Sequence, residues 1–337
     1  MIDPALLESL IPDQIPGIAI GVVTPTSVST HIAGFRALVP EREALTISTR
    51  FDMASLTKVV VTTTIILQLI DVGRLSLDTT IQSILPDYIH PQTTIHDLLT
   101  HQSGLPADDP AYRQCVDAQA LKHFTLTHPL SVQPRTQVIY TDFGFLILGW
   151  VIEAVEGPLD QITQRRIAEP LGCTLGFLPR DPLECAPTEV TTARGVIRGI
   201  VHDGKAFKMD GVAGNAGCFA TLEDLCTFVQ SFLDGRYRLL SARSLALLRQ
   251  THTKGLDHDR TLGWYRHDPS CAFGQYVSDD CLFHTGFTGT SISIDFERQI
   301  GLVLLTNRVH PYRDNASITP IRNRVHDQVF SKFPINL

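Results

Sequence analysis

The sequence predicts a mixed α/β (α+β) protein, with strands contributed by both ends of the chain and a helical middle. Three observations support this. β-Branched runs occur at 16–24 and 28–35 and again at 290–296 and 300–306, the pattern of half- or fully buried strands. From about residue 75 to 178 the apolar residues recur at helical spacing instead. A chain of 337 residues is long enough for one large core or two sub-domains, and it shows neither an internal repeat nor a low-complexity linker. The division that follows is an α/β domain from 1–74 and 205–337, with 75–204 as a mostly helical insert.

In chain order, 16–24 and 28–35 form a hairpin around Thr24-Pro25-Thr26-Ser27, and 36–50 is a loop. At 59–70 propensity and pattern conflict. Val59, Val60, Val61, Thr62, Thr63, Thr64, Ile65 and Ile66 favour a strand. The run is too long for one, however, and closes on Gly73, a natural residue just past a helix C-terminus, so a buried helix is expected. Segments 81–85, 94–100 and 143–155 carry helical spacing. Residues 262–266, 290–296 and 300–306 read as a meander with Glu297-Arg298-Gln299 as its last turn, and a final helix covers about 318–331.

Composition excludes several classes of function. With 43% hydrophobic and 19% charged residues the chain reads as globular rather than disordered. Its 28 Lys and Arg against 35 Asp and Glu, and no basic run longer than Gln164-Arg165-Arg166, argue against nucleic acid as a partner. The longest apolar-rich segment, 59–70, falls short of the roughly 20 residues that span a bilayer, so no membrane association is expected. The N-terminal residues lack a basic region followed by an apolar block, and the seven cysteines are odd in number and scattered. Both point to a cytoplasmic protein with reduced thiols, Cys218 and Cys226 being small core residues.

One short pattern carries chemistry. Ser55 is the only serine with a lysine three positions on, Lys58, so on a helix a hydroxyl and an amine would face each other. The lysine could serve as a base only if burial or a neighbouring cation lowered its pKa, and the apolar run after it supplies burial. Further on, Tyr140 and Asp142 stand two apart before a helix; their plain structural roles would be a half-buried aromatic and an N-cap. His284-Thr285-Gly286 sits at the edge of the meander, where Gly286 and Gly289 permit close backbone approach. His96 with His101 and His252 with His258 lack the spacing that places two metal ligands on one helical face. There is no Gly-x-Ser-x-Gly elbow and no phosphate-binding glycine loop. No metal and no cofactor is expected.

Together and in this order, Ser55-x-x-Lys58, Tyr140-x-Asp142 and His284-Thr285-Gly286 resemble the Ser-x-x-Lys, Tyr-x-Asn and Lys/His-Thr-Gly boxes of the serine β-lactamase and penicillin-binding protein superfamily, most closely its class C and carboxylesterase-like branch. The stretches 98–106, 211–221 and 305–311 are similar too, so the resemblance covers roughly 10–330. It implies a central antiparallel sheet flanked by helices, a helical domain against it and an active site between. It also implies Ser55 as the acylated nucleophile, Lys58 as its amine partner, and Tyr140 as a general base whose phenol is made acidic by Lys58. The backbone N–H groups of Ser55 and Phe287 would form the oxyanion hole, with Asp142, His284, Thr285 and Gly286 contacting substrate.

Two departures bear on the substrate. Asp142 replaces an amide that donates a hydrogen bond and, if ionised, would repel a substrate carboxylate; His284 replaces a permanent positive charge. The expected activity is therefore a serine hydrolase acting on a small ester, amide or peptide, with weak β-lactam hydrolysis at most. A β-lactamase or D-Ala-D-Ala carboxypeptidase proper, an acyltransferase and a catalytically silent binding or sensor domain are the alternatives. The pocket depends on loops such as 108–128 and 179–211, whose course spacing does not give.

Overall fold

The computed structural model describes residues 2–11, 13–266, 273–314 and 318–335. Its strands, in chain order, are β1 (Gly17–Val23), β2 (Val28–Ala37), β3 (Glu43–Ala44), β4 (Phe51–Asp52), β5 (Gly176–Phe177), β6 (Val190–Thr191), β7 (Gly195–Val196), β8 (Cys218–Ala220), β9 (Cys281–Thr285), β10 (Ser291–Asp295) and β11 (Ile300–Thr306). Six of them form the main antiparallel sheet in the order β3-β2-β1-β11-β10-β9. Strands from opposite ends of the sequence therefore meet at its centre, with Ile18 opposite Thr306 and Val22 opposite Leu302.

β1 and β11 are buried along their whole length because both faces of the sheet are covered. Alternation sorts their side chains. Ala19, Val23, Val303 and Leu305 enter the larger core, while Ile18, Ile20, Leu302 and Leu304 join Leu7, Val325, Val329 and Phe330 on the other side. The helix Leu222–Leu233 lies very close to the first face. A Cβ on Gly21 would stand 2.2 Å from Cys226 Sγ, and one on Gly301 2.2 Å from Val229 Cγ1. Cys218 and Cys226 are buried core residues.

The segment expected as a buried helix is one. Wide helical turns over Lys58–Thr63 run into the α-helix Thr64–Asp71, and Gly73 follows at φ 72°. Val59, Val60, Val61, Thr62 and Thr63 are all buried, so β-branched residues on every side find apolar contacts, and packing overrides their strand propensity. The threonine hydroxyls bond to backbone carbonyls, Thr62 Oγ1 to Gly214 O at 2.7 Å and Thr64 Oγ1 to Val59 O at 3.0 Å. Helices also form at Ile95–Leu99, Asp142–Glu156 and Ile318–Phe330, and a single tight turn at Ile81–Ser83.

Two expectations fail. Residues 262–266 are not a strand: only Tyr265 bridges, to Arg260 and Phe283, and the third meander strand is β9, which carries His284. Gly263 explains the difference. It sits at φ 77° with its Cα so close to the buried helix that a Cβ would meet Thr63 Oγ1 at 2.2 Å, and Trp264 is buried beside it. Nor is 36–50 wholly a loop, because β2 continues to Ala37 and pairs with β3 across a bulge. Among the described residues no helix is long and apolar enough to cross a membrane.

Candidate active site

The segment that carries Ser55 is fixed from both sides. β4 pairs with β8, and Met53 N–H donates to Cys218 O at 3.0 Å. Ala54 adopts φ 47°, a left-handed conformation unfavourable for alanine, and its N–H donates to Asp52 Oδ1 at 2.8 Å. The other oxygen of Asp52 accepts from His202 N–H at 2.7 Å. Burial raises the pKa of this carboxyl against the pull of those two donors. The chain then enters the buried helix with Ser55 at its mouth and Lys58 one turn in.

Lys58 is fully buried. Its Nζ donates to Ser55 Oγ at 2.9 Å, to Asp142 Oδ1 at 2.7 Å and to the Asn215 carbonyl at 3.1 Å. The expectation that burial would lower its pKa is overturned. Burial does act in that direction, but the neighbouring Asp142 and Tyr140 outweigh it and the net shift is upward. Lys58 is therefore an ammonium that donates to the serine oxygen, not a neutral amine that takes its proton.

Asp142 is likewise not the exposed repelling charge that was expected. Lys58 holds one of its oxygens and Lys205 Nζ the other, at 3.2 Å, while Lys205 also pairs with Asp108 at 2.6 Å. Burial pushes the Asp142 carboxyl up, the two ammonium groups pull it down further, and it settles at about 2. Its charge is compensated before any substrate arrives. Nor is it the N-cap of its helix: Thr141 is, its Oγ1 accepting from Phe143 N–H at 3.2 Å.

Tyr140 is packed among rings and cations. The imidazoles of His101 and His284 lie 4.7 and 6.0 Å from its ring, the Lys58 ammonium 5.0 Å and the Arg260 guanidinium 5.4 Å. Burial, with Arg260 and Lys58 nearby, pushes the pKa values of both histidines well below the usual range, so both rings are neutral. Each tautomer follows from its partner. His284 Nδ1–H donates to the Thr285 carbonyl at 3.0 Å, whereas His101 Nδ1 accepts from Thr141 N–H at 3.2 Å.

The turn after β9 is pinned against the nucleophile. Thr288 Oγ1 donates to Asp52 O at 2.8 Å and Thr290 Oγ1 to Met53 O at 3.1 Å. Only glycine fits at 286, where a Cβ would stand 2.1 Å from Thr290 Oγ1 and 2.5 Å from Met53 O. Neither Ser55 N–H nor Phe287 N–H donates to another described residue. The Phe287 ring stacks on His202, with Arg308 and Arg313 at 4.9 and 4.8 Å. Ser55, Tyr140, Asp142, His284, Thr285 and Phe287 share one cleft of about 590 Å³.

The structure thus brings together every site residue expected from sequence and adds Lys205, Asp108, Arg260 and the Asn215 carbonyl. His101 and Asn215 lie in stretches already noted for their resemblance. Lys205 and Asp108 stand alone in loops whose course the sequence left open, and nothing local marks them. The three-box arrangement on this fold sets the terms for comparison with known proteins. A family model described as Beta-lactamase matches residues 6–326.

The chain belongs to the β-lactamase family. It is 34% identical to "N-acetylmuramyl-L-alanine amidase" of Bacillus subtilis (strain 168), over 78% of this chain and 68% of that one. It is 33% identical to "Putative D-alanyl-D-alanine carboxypeptidase" of Escherichia coli (strain K12), over 79% and 70%. Among solved structures, the simvastatin synthase of Aspergillus terreus superposes with a TM-score of 0.80, covering 100% of both chains at 21% identity. At that identity the likeness speaks to the shared β-lactamase-family fold alone.

Proposed function

We propose that this protein is a serine hydrolase that forms a covalent acyl-enzyme at Ser55 and releases it with water. The observation that carries the reading is the contact of Lys58 Nζ with Ser55 Oγ at 2.9 Å, in a cleft that Phe287 also lines. Because Lys58 is held as an ammonium by Asp142, the proton of the serine hydroxyl passes to the phenolate form of Tyr140, whose ring has Lys58 at 5.0 Å and Arg260 at 5.4 Å. Ser55 Oγ attacks the acyl carbon, the oxyanion is received by the N–H groups of Ser55 and Phe287, and Tyr140 returns its proton to the leaving group. Water, deprotonated by the same tyrosine, then breaks the acyl–oxygen bond and restores Ser55.

The substrate is an ester or an amide. The names of the relatives favour an amide in a peptide, since both describe cleavage of alanine-linked bonds. His284 is neutral and buried, so it offers no fixed cation to a β-lactam carboxylate, and slow nitrocefin turnover is expected.

The experiment is a panel of p-nitrophenyl esters, nitrocefin and D-Ala-D-Ala peptides, run beside Ser55→Ala and a fluorophosphonate mass label. Cleavage of at least one ester or peptide, lost in Ser55→Ala, with one label on Ser55, supports the reading. A folded wild-type protein that takes no label and cleaves nothing would be a silent binding domain. Adding an alcohol or amine acceptor distinguishes water from another acyl acceptor.

A further inference from the structure

Beside the catalytic cleft lies a larger groove of about 1300 Å³, lined by residues from the segments 112–119, 178–179, 193–211 and 217–219. Its lining is mainly apolar. Val116, Leu178, Ile200 and Phe207 expose 88%, 56%, 50% and 45% of their surface around it, a concentration of large exposed hydrophobic side chains that folding alone does not require. The groove and the cleft share Tyr112, Arg113, Arg194 and Gly204, so a molecule attached at Ser55 reaches the groove without leaving the protein.

The junction is built to be crossed by something uncharged. Gly204 lies so near Tyr112 that a Cβ would stand 2.4 Å from its hydroxyl. The Lys205 ammonium is held over the Tyr112 ring at 4.6 Å and is neutralised by Asp108 and Asp142. Arg194 spends its guanidinium on the carbonyls of Val201 and His202 and lies 4.0 Å from the Phe207 ring. Lys205 is thus paired with carboxylates and Arg194 with backbone carbonyls, while the Arg113 guanidinium lies 5.9 Å over the Tyr112 ring.

We infer that this groove is the acyl-chain subsite of the active site, and that the enzyme takes acyl groups with an apolar chain or ring system of roughly six to twelve carbons. The inference rests on the hydrolase reading above. The side of the substrate follows from the proton path: a leaving group protonated by Tyr140 must lie along the wall where Tyr140 meets His284, and His284 meets Tyr265 at 5.6 Å. The acyl group is left the part of the cleft lined by Asp142, Lys205 and Tyr112, of which Tyr112 also lines the groove.

The test is a series of p-nitrophenyl acetate, butyrate, octanoate and decanoate below their micellar concentrations. It is run on the wild type and on Ile200→Asp and Val116→Asp, both exposed positions. The readout is the octanoate-to-acetate ratio of kcat/KM, which cancels any general loss of active enzyme. A burial gain of about fourfold per methylene, applied to only part of the chain, predicts a wild-type ratio above about 10 and a fall of about tenfold or more in each variant. A flat acyl series with Ser55 still labelled by fluorophosphonate overturns the subsite alone. So does a ratio that both substitutions leave unchanged, or a length preference seen only with acetate esters of longer alcohols. No labelling and no turnover of any ester overturns the hydrolase reading, and the subsite with it.

Discussion

Lys205 Nζ stands 3.2 Å from Asp142 Oδ2, and this contact completes a line of alternating charge, Asp108, Lys205, Asp142 and Lys58, that ends on the serine oxygen. A carboxylate where the family pattern has an amide is accommodated because two cations share it.

Removing the far cation tests that line. Lys205→Met leaves Asp142 with Lys58 alone, and kcat/KM is expected to fall about tenfold, the scale of one charge-assisted hydrogen bond. Asp142 will titrate at higher pH, so the acid limb of the pH–rate profile moves up, which loss of packing alone would not do. Lys205→Arg should recover part of the loss. An acid limb that stays in place would dismiss the electrostatic role.

Removing the carboxylate has the opposite consequence for Lys58. In Asp142→Asn the larger of the two influences that hold the ammonium is gone, and burial, which lowers its pKa, is opposed by Tyr140 alone. The sign follows: the donating ammonium is lost above its pKa, so a lower pKa brings the alkaline decline of kcat/KM to lower pH. An alkaline limb identical to the wild type would show that Lys58 does not depend on Asp142.

Gly286→Ala tests the proposed oxyanion hole without removing a side chain. The new methyl group would stand 2.1 Å from Thr290 Oγ1 and 2.5 Å from Met53 O, forcing the turn that carries Phe287 N–H away from Ser55. A fall in kcat of roughly 100-fold is expected, with circular dichroism unchanged. A kcat within threefold of the wild type would remove Phe287 N–H from the mechanism.

Acid should destabilise the fold through its buried histidines before it reaches the paired carboxylates. His326, bonded through Nε2 to Ser293 Oγ at 3.0 Å, is lowered to about 3 by burial, and burial also lowers His101, His284 and His310. With folded pKa values below the unfolded 6.5, the unfolded chain takes up protons first. Their stabilisation is full above that pH and is lost as pH falls, for His326 down to about 3. Each such histidine contributes a slope of roughly 1.4 kcal/mol per pH unit in that window. Urea unfolding at pH 7, 6 and 5 should show falling stability, with a shallower slope in His326→Leu. Asp142, settled at about 2, gives stability that is present above about 4 and fades only as pH drops through 2.

Strands β1, β2, β10 and β11 were legible in the sequence because β-branched residues in short runs serve strands buried on one face or two. The buried helix after Ser55 was legible only through its length and Gly73, since its residues individually favour a strand. Residues 262–266 misled for a related reason: Trp264 and Tyr265 have strand-like side chains, but Gly263 turns the backbone toward Thr63, a contact across 200 positions that no local pattern encodes. The same holds at the site. The environment of Lys58 could be read as apolar from its neighbours in the chain, whereas the sign of its pKa shift depends on Asp142, 84 positions away. Compensation by Lys205 and Asp108 was invisible until the loops were placed.

The pairing of Ile18 with Thr306 has a further consequence for how the molecule comes into being. Translation delivers the nucleophile segment early and its oxyanion partner almost last, because Ser55 and Phe287 bracket most of the polypeptide. Until β9, β10 and β11 emerge, β1 has an unpaired apolar edge and Ser55 lacks the turn carrying Phe287, the second donor of the proposed oxyanion hole. On the proposed mechanism the nascent chain is therefore inert as well as aggregation-prone, and reactivity arises only when the sheet closes.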